Sequence, residues 1–323
     1  MSTMFGAVTQ GVNGNVWVLA LASAIGFAMP IVYAAVGEVL CERAGVVNLG
    51  LEGMLLTGAM CTLLALDAWD NTALALLCGI LAGLAIASIH AFLCISLRAN
   101  QTVSGLALAL FGAAFANFLG DPVENKHFDA RFTEIKIPGV SNLPVLGPVL
   151  FQHDLLVYLS VVIVLAVGWY INRTRAGLAL RAVGESPATA DAQGISVARV
   201  RYAHVLAGGA FAGFGGAYIV LAQGAAWNQE KTTGGIGWIA LALVVFASWR
   251  PSRVLLGAIA FGFALRANFT LQAAEINWPP AEFLSMLPYV LTVALLIVVS
   301  MSDVRGRLGA PAALGQPFVR DER

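Results

Sequence analysis

Long apolar runs, broken by short polar stretches, dominate the chain. The runs cover residues 16–36, 53–66, 73–97, 102–119, 155–171, 203–222, 235–249, 254–269 and 283–299. A helix needs about 20 mostly apolar residues to cross a bilayer, and the second, seventh and eighth runs fall short, so the expected number of spans is about nine, in a range of roughly eight to ten. The runs are apolar all round, so periodicity does not fix their ends. The fold class expected is all-α: a polytopic transmembrane helical bundle, one domain over residues 1–323.

Charges between the runs orient them. Arg98, then Arg173, Arg175, Arg181, Arg199 and Arg201, then Arg250 and Arg253, then Arg305, Arg307, Arg320 and Arg323 fall in alternate connections. The remaining connections hold Asp67 and Asp70, the stretch 120–154, Glu230 and Lys231, and Glu275 and Glu282. Every lysine (Lys126, Lys136, Lys231) lies in this second set. Arginine-rich connections belong on the cytoplasmic side, which predicts a cytoplasmic C-terminus and, with nine spans, an external N-terminus. The first 15 residues lack Lys and Arg, unlike a cleaved signal peptide, so the first span is expected to be retained.

Three polar segments interrupt the pattern. Residues 37–53 place Glu38, Glu42, Arg43, Asn48 and Glu52 among Gly37, Gly45, Gly50 and Gly53. This is either a solvated cytoplasmic connector or a glycine-broken, re-entrant element of the kind transporters use beside a solute path. The Arg-rich loop 172–202 contains the punctuation of one short helix: Ser186 as N-cap, Pro187 at the first helical position, Ala188, Ala190 and Ala192 inside, and Gly194 at the left-handed end. Seven residues make about 10 Å of helix, marginal alone in water. It either lies on the membrane face or docks into a soluble partner, and the length of the loop favours docking. The external loop 120–154, with Pro122, Pro138, Pro144 and Pro148, reads as a lid or a landing surface for an external protein.

Polar groups at depth are costly in hydrocarbon and mark cavities. Asn48, Glu52, Gln101, Thr102, Ser104, Asn117 and Asn268 qualify, while Arg266 is expected to snorkel to the interface. Glycines at 79, 83, 208, 209, 213, 215 and 216 read as close helix packing or a subunit contact. Cys41, Cys61, Cys78 and Cys94 read as packing thiols, and the histidines have no metal spacing.

Composition narrows the function. Only 11% of residues are charged, against about 25% in a soluble domain, and net charge is zero. A soluble enzyme, a disordered protein and a nucleic-acid binder are excluded. The dipeptide Gly-Lys does not occur, so the chain holds no P-loop.

Four stretches carry a family resemblance: ERAGVVNLGLEGMLLTGA (42–59), RANQTVSGLAL (98–108), GLALRAVGESPATADAQGI (177–195) and GGIGWIALALVVFASWRP (234–251). They resemble permeases of bacterial ATP-binding-cassette importers in the branched-chain amino-acid, ribose and nucleoside superfamily, most of all the shorter permease of guanosine/nucleoside-type importers. The resemblance implies a nucleoside permease without an ATPase site of its own, in the bacterial inner membrane. Its implied partners are a double-cassette ATPase, a longer paralogous permease and an external binding protein or lipoprotein. The chain itself would bind no cofactor, ATP and Mg being used by the ATPase. Gly184, Glu185, Ser186, Pro187, Ala190, Asp191 and Gly194 would form the ATPase-coupling helix. Asn48 and Glu52 would border the translocation path, to which the depth argument adds Gln101, Ser104 and Asn117. The alternatives are a simple-sugar permease (ribose or galactose) and an ion-coupled secondary transporter, for which Glu52 is the one serious intramembrane carboxylate. A membrane enzyme lacks a nucleophile, metal cluster or carboxylate pair in the sequence.

Overall fold

The computed structural model describes residues 16–124, 126, 128–224, 226–273, 280, 283, 284, 286–301 and 309–320. His127, Glu275, Glu282, Arg305, Arg307, Arg323 and the first 15 residues lie outside them, as do the side chains of Glu230 and Asn268. The described residues are mostly helical. Helix α1 is Val16–Arg43, α2 Leu51–Trp69, α3 Thr72–Ala91, α4 Gln101–Gly120, α5 Leu146–Leu150 and α6 Leu155–Arg173. Then follow α7 Arg175–Glu185, α8 Pro187–Ala192, α9 Val197–Gln223, α10 Ile236–Phe246, α11 Pro251–Ala273 and α12 Leu287–Met301. Two short strands, β1 Ile135–Lys136 and β2 Gln152–His153, pair antiparallel within the loop between α4 and α6.

Helices α1, α2, α3 and α9 form the centre, with α4 on α2, α11 on α1, and α6 at the side. The centre is tight because its contact positions carry no side chain. A Cβ on Gly83 would stand 2.6 Å from the Gly213 amide nitrogen, and one on Gly58 2.7 Å from Gly213 Cα. A Cβ on Gly37 would stand 2.8 Å from the Gly208 carbonyl. The glycines of the second, third and sixth runs, with Gly37 just past the first, are therefore the packing device of a single bundle. Helix α4 shows the amphipathic spacing its all-apolar sequence hides. Gln101, Ser104, Gly105, Leu108, Ala109, Gly112 and Ala116 face inward, while Val103, Leu106, Leu110 and Phe118 are exposed. In α1, Pro30 removes the donor for the Gly26 carbonyl, and Gln223 Nε2 of α9 reaches that oxygen at 3.4 Å.

Six helices among the described residues are long and apolar enough to cross a membrane: those of α1, α2, α3, α4, α6 and α9. The seventh run, expected over 235–249, forms only 11 helical residues, about 16 Å. Helix α11 has 23 residues and α12 has 15. The first run extends seven residues beyond its expected end, because Glu38 and Glu42 find partners inside the protein. The loop expected over 172–202 is largely helix, since α9 begins at Val197 and Thr174 Oγ1 caps α7 by accepting from the Gly177 amide at 2.9 Å. Arg201, counted among the flanking arginines, is buried. Arg266 does not snorkel: it is buried with its guanidinium 4.5 Å from the Phe27 ring centroid and 4.8 Å from that of Phe269.

Candidate functional site

The junction between α1 and α2 is buried, which excludes the solvated-connector reading: Glu38, Glu42, Asn48 and Glu52 all lie in the interior. Helix α1 stops in a Schellman turn. Gly45 takes φ +84°, its amide donates to the Glu42 carbonyl at 2.9 Å, and the Val46 amide donates to the Cys41 carbonyl at 3.2 Å. Beyond it the chain is non-helical until Leu51, so its backbone groups need other partners. Side chains supply them. Gln101 Oε1 accepts from the Val47 amide at 2.8 Å, Glu38 Oε1 from the Asn48 amide at 3.1 Å, and Asn48 Oδ1 from the Gly50 amide at 3.1 Å. His90 Nε2 lies 3.0 Å from the Val47 carbonyl and must be its donor. Nδ1, 3.2 Å from Ser104 Oγ, is then the acceptor of the neutral ring.

Helix α10 starts at this same place. Glu52, in the first turn of α2, accepts from Thr233 Oγ1 at 2.5 Å and from the Gly237 amide at 2.6 Å. A carboxylate here meets free amides and the positive end of the α10 dipole. The other end of α10 returns to α1: Trp249 Nε1 donates to Glu42 Oε2 at 2.5 Å, and Arg43 Nη2 donates to the Trp249 carbonyl at 3.3 Å. Two helix N-termini thus converge on one carboxylate beside a stretch of irregular backbone.

Of the expected path residues, the structure brings Asn48, Gln101 and Ser104 into one network and places Glu52 next to it. Asn117 stands apart, about 20 Å along α4 from Ser104, and its Oδ1 is buried with no hydrogen-bond partner among the described residues. Sequence reasoning missed His90, Thr233 and Trp249, and read Glu38 only as connector charge. A lone histidine in an otherwise apolar run was the available signal for His90. Among the described residues, Glu38 Oε2 and Gln101 Nε2 likewise have no hydrogen-bond partner.

Helix α8 forms with the punctuation the sequence carries, over six residues. Ser186 Oγ accepts from the Thr189 amide at 3.4 Å, Pro187 occupies the first position, and Gly194 takes φ +82°. Its end is a second Schellman turn: Gly194 donates to the Asp191 carbonyl at 2.9 Å and Ile195 to that of Ala190 at 3.0 Å. Ala190 seats it on a small cluster with Val183 and Val197. Gly184 belongs to the preceding helix and packs so close to the Arg43 carbonyl that a Cβ would collide with it. Glu185 and Asp191 turn to the C-terminal segment. The outward face of α8 is made instead by Ala188, Thr189, Ala192 and Gln193, which are exposed.

At the opposite end of the bundle, the loop 120–154 is fastened down. Lys126 pairs with Asp67 at 2.7 Å, Arg131 pairs with Asp70, and Arg131 donates its amide to the Leu221 carbonyl at 2.6 Å. Asp154 Oδ1 caps α6 while its Oδ2 accepts from Tyr218 Oη at 2.9 Å.

Comparison with known proteins agrees with this architecture. The chain is 38% identical over 309 residues to the putative glucose ABC transporter permease protein TsgC13 of Haloferax volcanii, covering 89% of this chain and 93% of the relative. It is 35% identical over 317 residues to the guanosine ABC transporter permease protein NupQ of Bacillus subtilis, covering 92% and 95%. It is 32% identical over 324 residues to the nucleoside ABC transporter permease protein NupC of Lactococcus lactis, covering 95% and 99%. Residues 20–299, which include the α1–α2 junction, helix α8 and all of α10, match the family described as branched-chain amino acid transport system, permease component. The chain belongs to that family and is a permease of the ABC transporter class.

Proposed function

We propose that this permease forms, with a longer paralogous permease, the path by which an importer carries purine and pyrimidine nucleosides through the bacterial inner membrane. Permeases of this class work with an ATPase and a substrate-binding protein. On our reading the ATPase is one chain with two nucleotide-binding cassettes, which uses the ATP and Mg; this chain has no ATPase site and binds no cofactor. The binding protein or lipoprotein delivers solute to the end of the bundle that carries loop 120–154. Nine spans and a cytoplasmic C-terminus fit the alternation of arginines, with the α8 end inside.

The observation that carries the coupling role is α8. It is a fully capped helix of six residues, held by one buried alanine and presenting a small-residue face outward. Such a helix is too short to persist without support. Its exposed face fits a groove in a partner. Cassette closure would then move α8, and the bundle would alternate between inward- and outward-open forms. The junction of α2 and α10 lies where helix N-termini and irregular backbone meet, as in other transporter paths.

The nucleoside substrate rests on the relatives named for guanosine and nucleosides. The relative named for glucose supports a second reading, a sugar permease. Both solute classes contain a polyhydroxylated sugar ring. The deciding experiment is uptake by proteoliposomes holding the complete complex, with guanosine, uridine and glucose as labelled solutes. ATP-dependent nucleoside uptake that excess glucose does not compete supports the proposal. Glucose uptake alone moves the assignment to sugars. Uptake that survives ATP depletion and collapses with an ionophore overturns the ABC coupling.

A further inference from the structure

The C-terminal segment, residues 309–320, lies in turn against the end of α7, the α1–α2 junction and α8. At the junction, Gly315 donates its amide to the Gly45 carbonyl at 3.2 Å. Arg201, 1% exposed, donates through Nε to the Ala44 carbonyl at 3.2 Å and through Nη1 to the Gln316 carbonyl at 3.0 Å. One guanidinium thus ties the carbonyl end of α1 to the segment, where a cation also suits the helix dipole. The fit leaves no slack: a Cβ on Gly45 would stand 3.0 Å from Arg201 Nη2. Ahead of these contacts in the chain, Ala313 donates to the Gly184 carbonyl at 2.9 Å, and the Ala312 amide reaches Glu185 Oε2 at 3.4 Å. At the far end, Phe318 packs on the Val183, Ala190 and Val197 cluster that seats α8, and Arg320 pairs with Asp191 of α8 at 3.0 Å.

We propose that residues 309–320 are a strut that carries displacement of α8 to the α1–α2 junction, with Arg201 as the positioning residue at its inner end. The inference rests on the reading of α8 as the ATPase-docking helix. Helix α8 touches the bundle chiefly through Ala190, whereas the strut meets α8 with Phe318 and Arg320, the end of α7 through the Gly184 carbonyl, and the junction through a main-chain hydrogen bond and a buried guanidinium. Movement of α8 therefore pulls on residues 44–50, whose side-chain-held backbone borders α10. The single ion pair to Arg320 is exposed and contributes little by itself, so the mechanical link is Phe318 on the apolar cluster together with the main-chain bonds at Gly184 and Gly45.

The test uses the reconstituted complex and reads transport per ATP hydrolysed, a ratio that simple loss of folded protein does not change. Two strut variants are compared, the chain ending at Leu308 and Phe318→Asp, which detaches only the α8 end. Thr189→Arg, on the exposed face of α8, tests docking separately. The strut predicts that Phe318→Asp retains the ATPase in the purified complex and continues hydrolysis, while transport per ATP falls about tenfold, within the usual size of coupling between sites. The truncated chain should show at least the same fall. Unchanged transport per ATP in the assembled Phe318→Asp complex overturns the strut. So does failure of Phe318→Asp to assemble with the ATPase, which makes the segment an element of stability or docking alone. If Thr189→Arg keeps both ATPase and transport, the docking reading fails, and with it the input the strut needs.

Discussion

Glu52 illustrates how one side chain can serve two helices. Its carboxylate begins α10 by accepting from Thr233 and Gly237, while its own backbone opens α2. Removing a buried acceptor of this kind costs about 1–3 kcal/mol, and more where the group is charged. Glu52→Ala is expected to lower the melting temperature of the purified permease clearly. Thr233→Ala, which removes one donor and leaves the Gly237 contact, should cost about 1 kcal/mol or less. Equal losses in the two variants, measured by thermal unfolding in detergent, would contradict this division. The sequence made Glu52 conspicuous because a carboxylate in a broken apolar run is rare. It could not reveal that the carboxylate's partner lies 185 residues away. Nor could it show why position 53 is glycine: the α4 backbone lies against it, and a Cβ on Gly53 would stand 3.0 Å from Ala109 Cα.

Elements divide by whether local signals determine them. Helix α8 was legible almost residue by residue, because its N-cap, its proline and its terminal glycine act within a few positions. Gly194→Ala should strain its left-handed end by about 1 kcal/mol, read as increased protease sensitivity of residues 186–196. The ends of the spanning helices were not legible, since uniform hydrophobicity carries no phase. The α3–α9 contact makes a sharp comparison of glycines. Gly83→Ala must force the helices apart, with an overpacking cost of about 1–3 kcal/mol. Gly168→Ala, in the middle of α6 with no atom within 4 Å of the new Cβ, should instead stabilise by about 0.5–1 kcal/mol through helix propensity. Thermal melts of the two variants, side by side with wild type, check the sign of each. The shortness of α10 has a physical cause as well: Glu52 starts its helix, and the turn at Ser248 and Trp249, both at positive φ, ends it.

At the scale of the molecule, the two ends are built differently. The end that holds α7, α8 and the strut collects most of the described arginines, while the other is closed by a long loop fastened through Lys126 and Arg131 to Asp67 and Asp70. If the arginine-rich end is cytoplasmic, a cysteine at exposed Gln193 reacts with an impermeant thiol reagent only from the inside, in a background where the natural cysteines are replaced. A cysteine at exposed Asp129 reacts only from the outside. Labelling of both from the same side would refute the alternating arrangement. The native cysteines do not themselves report this, because Cys41 and Cys94 are buried and Cys61 and Cys78 lie within the apolar helices α2 and α3.

Residues 46–50 differ in kind from the helices around them. A helical amide becomes free only when a whole turn opens, so its hydrogen exchange reports a cooperative event. The amides of Val47, Asn48 and Gly50 are each closed by a different side chain, and each is released by losing that one acceptor. Gln101→Leu should therefore speed deuterium uptake at Val47 while leaving that of α2 unchanged. Uniform acceleration through α2 would mean that the stretch opens as a block. A solute path bordered by such backbone adjusts in single steps while the bundle that holds it stays intact.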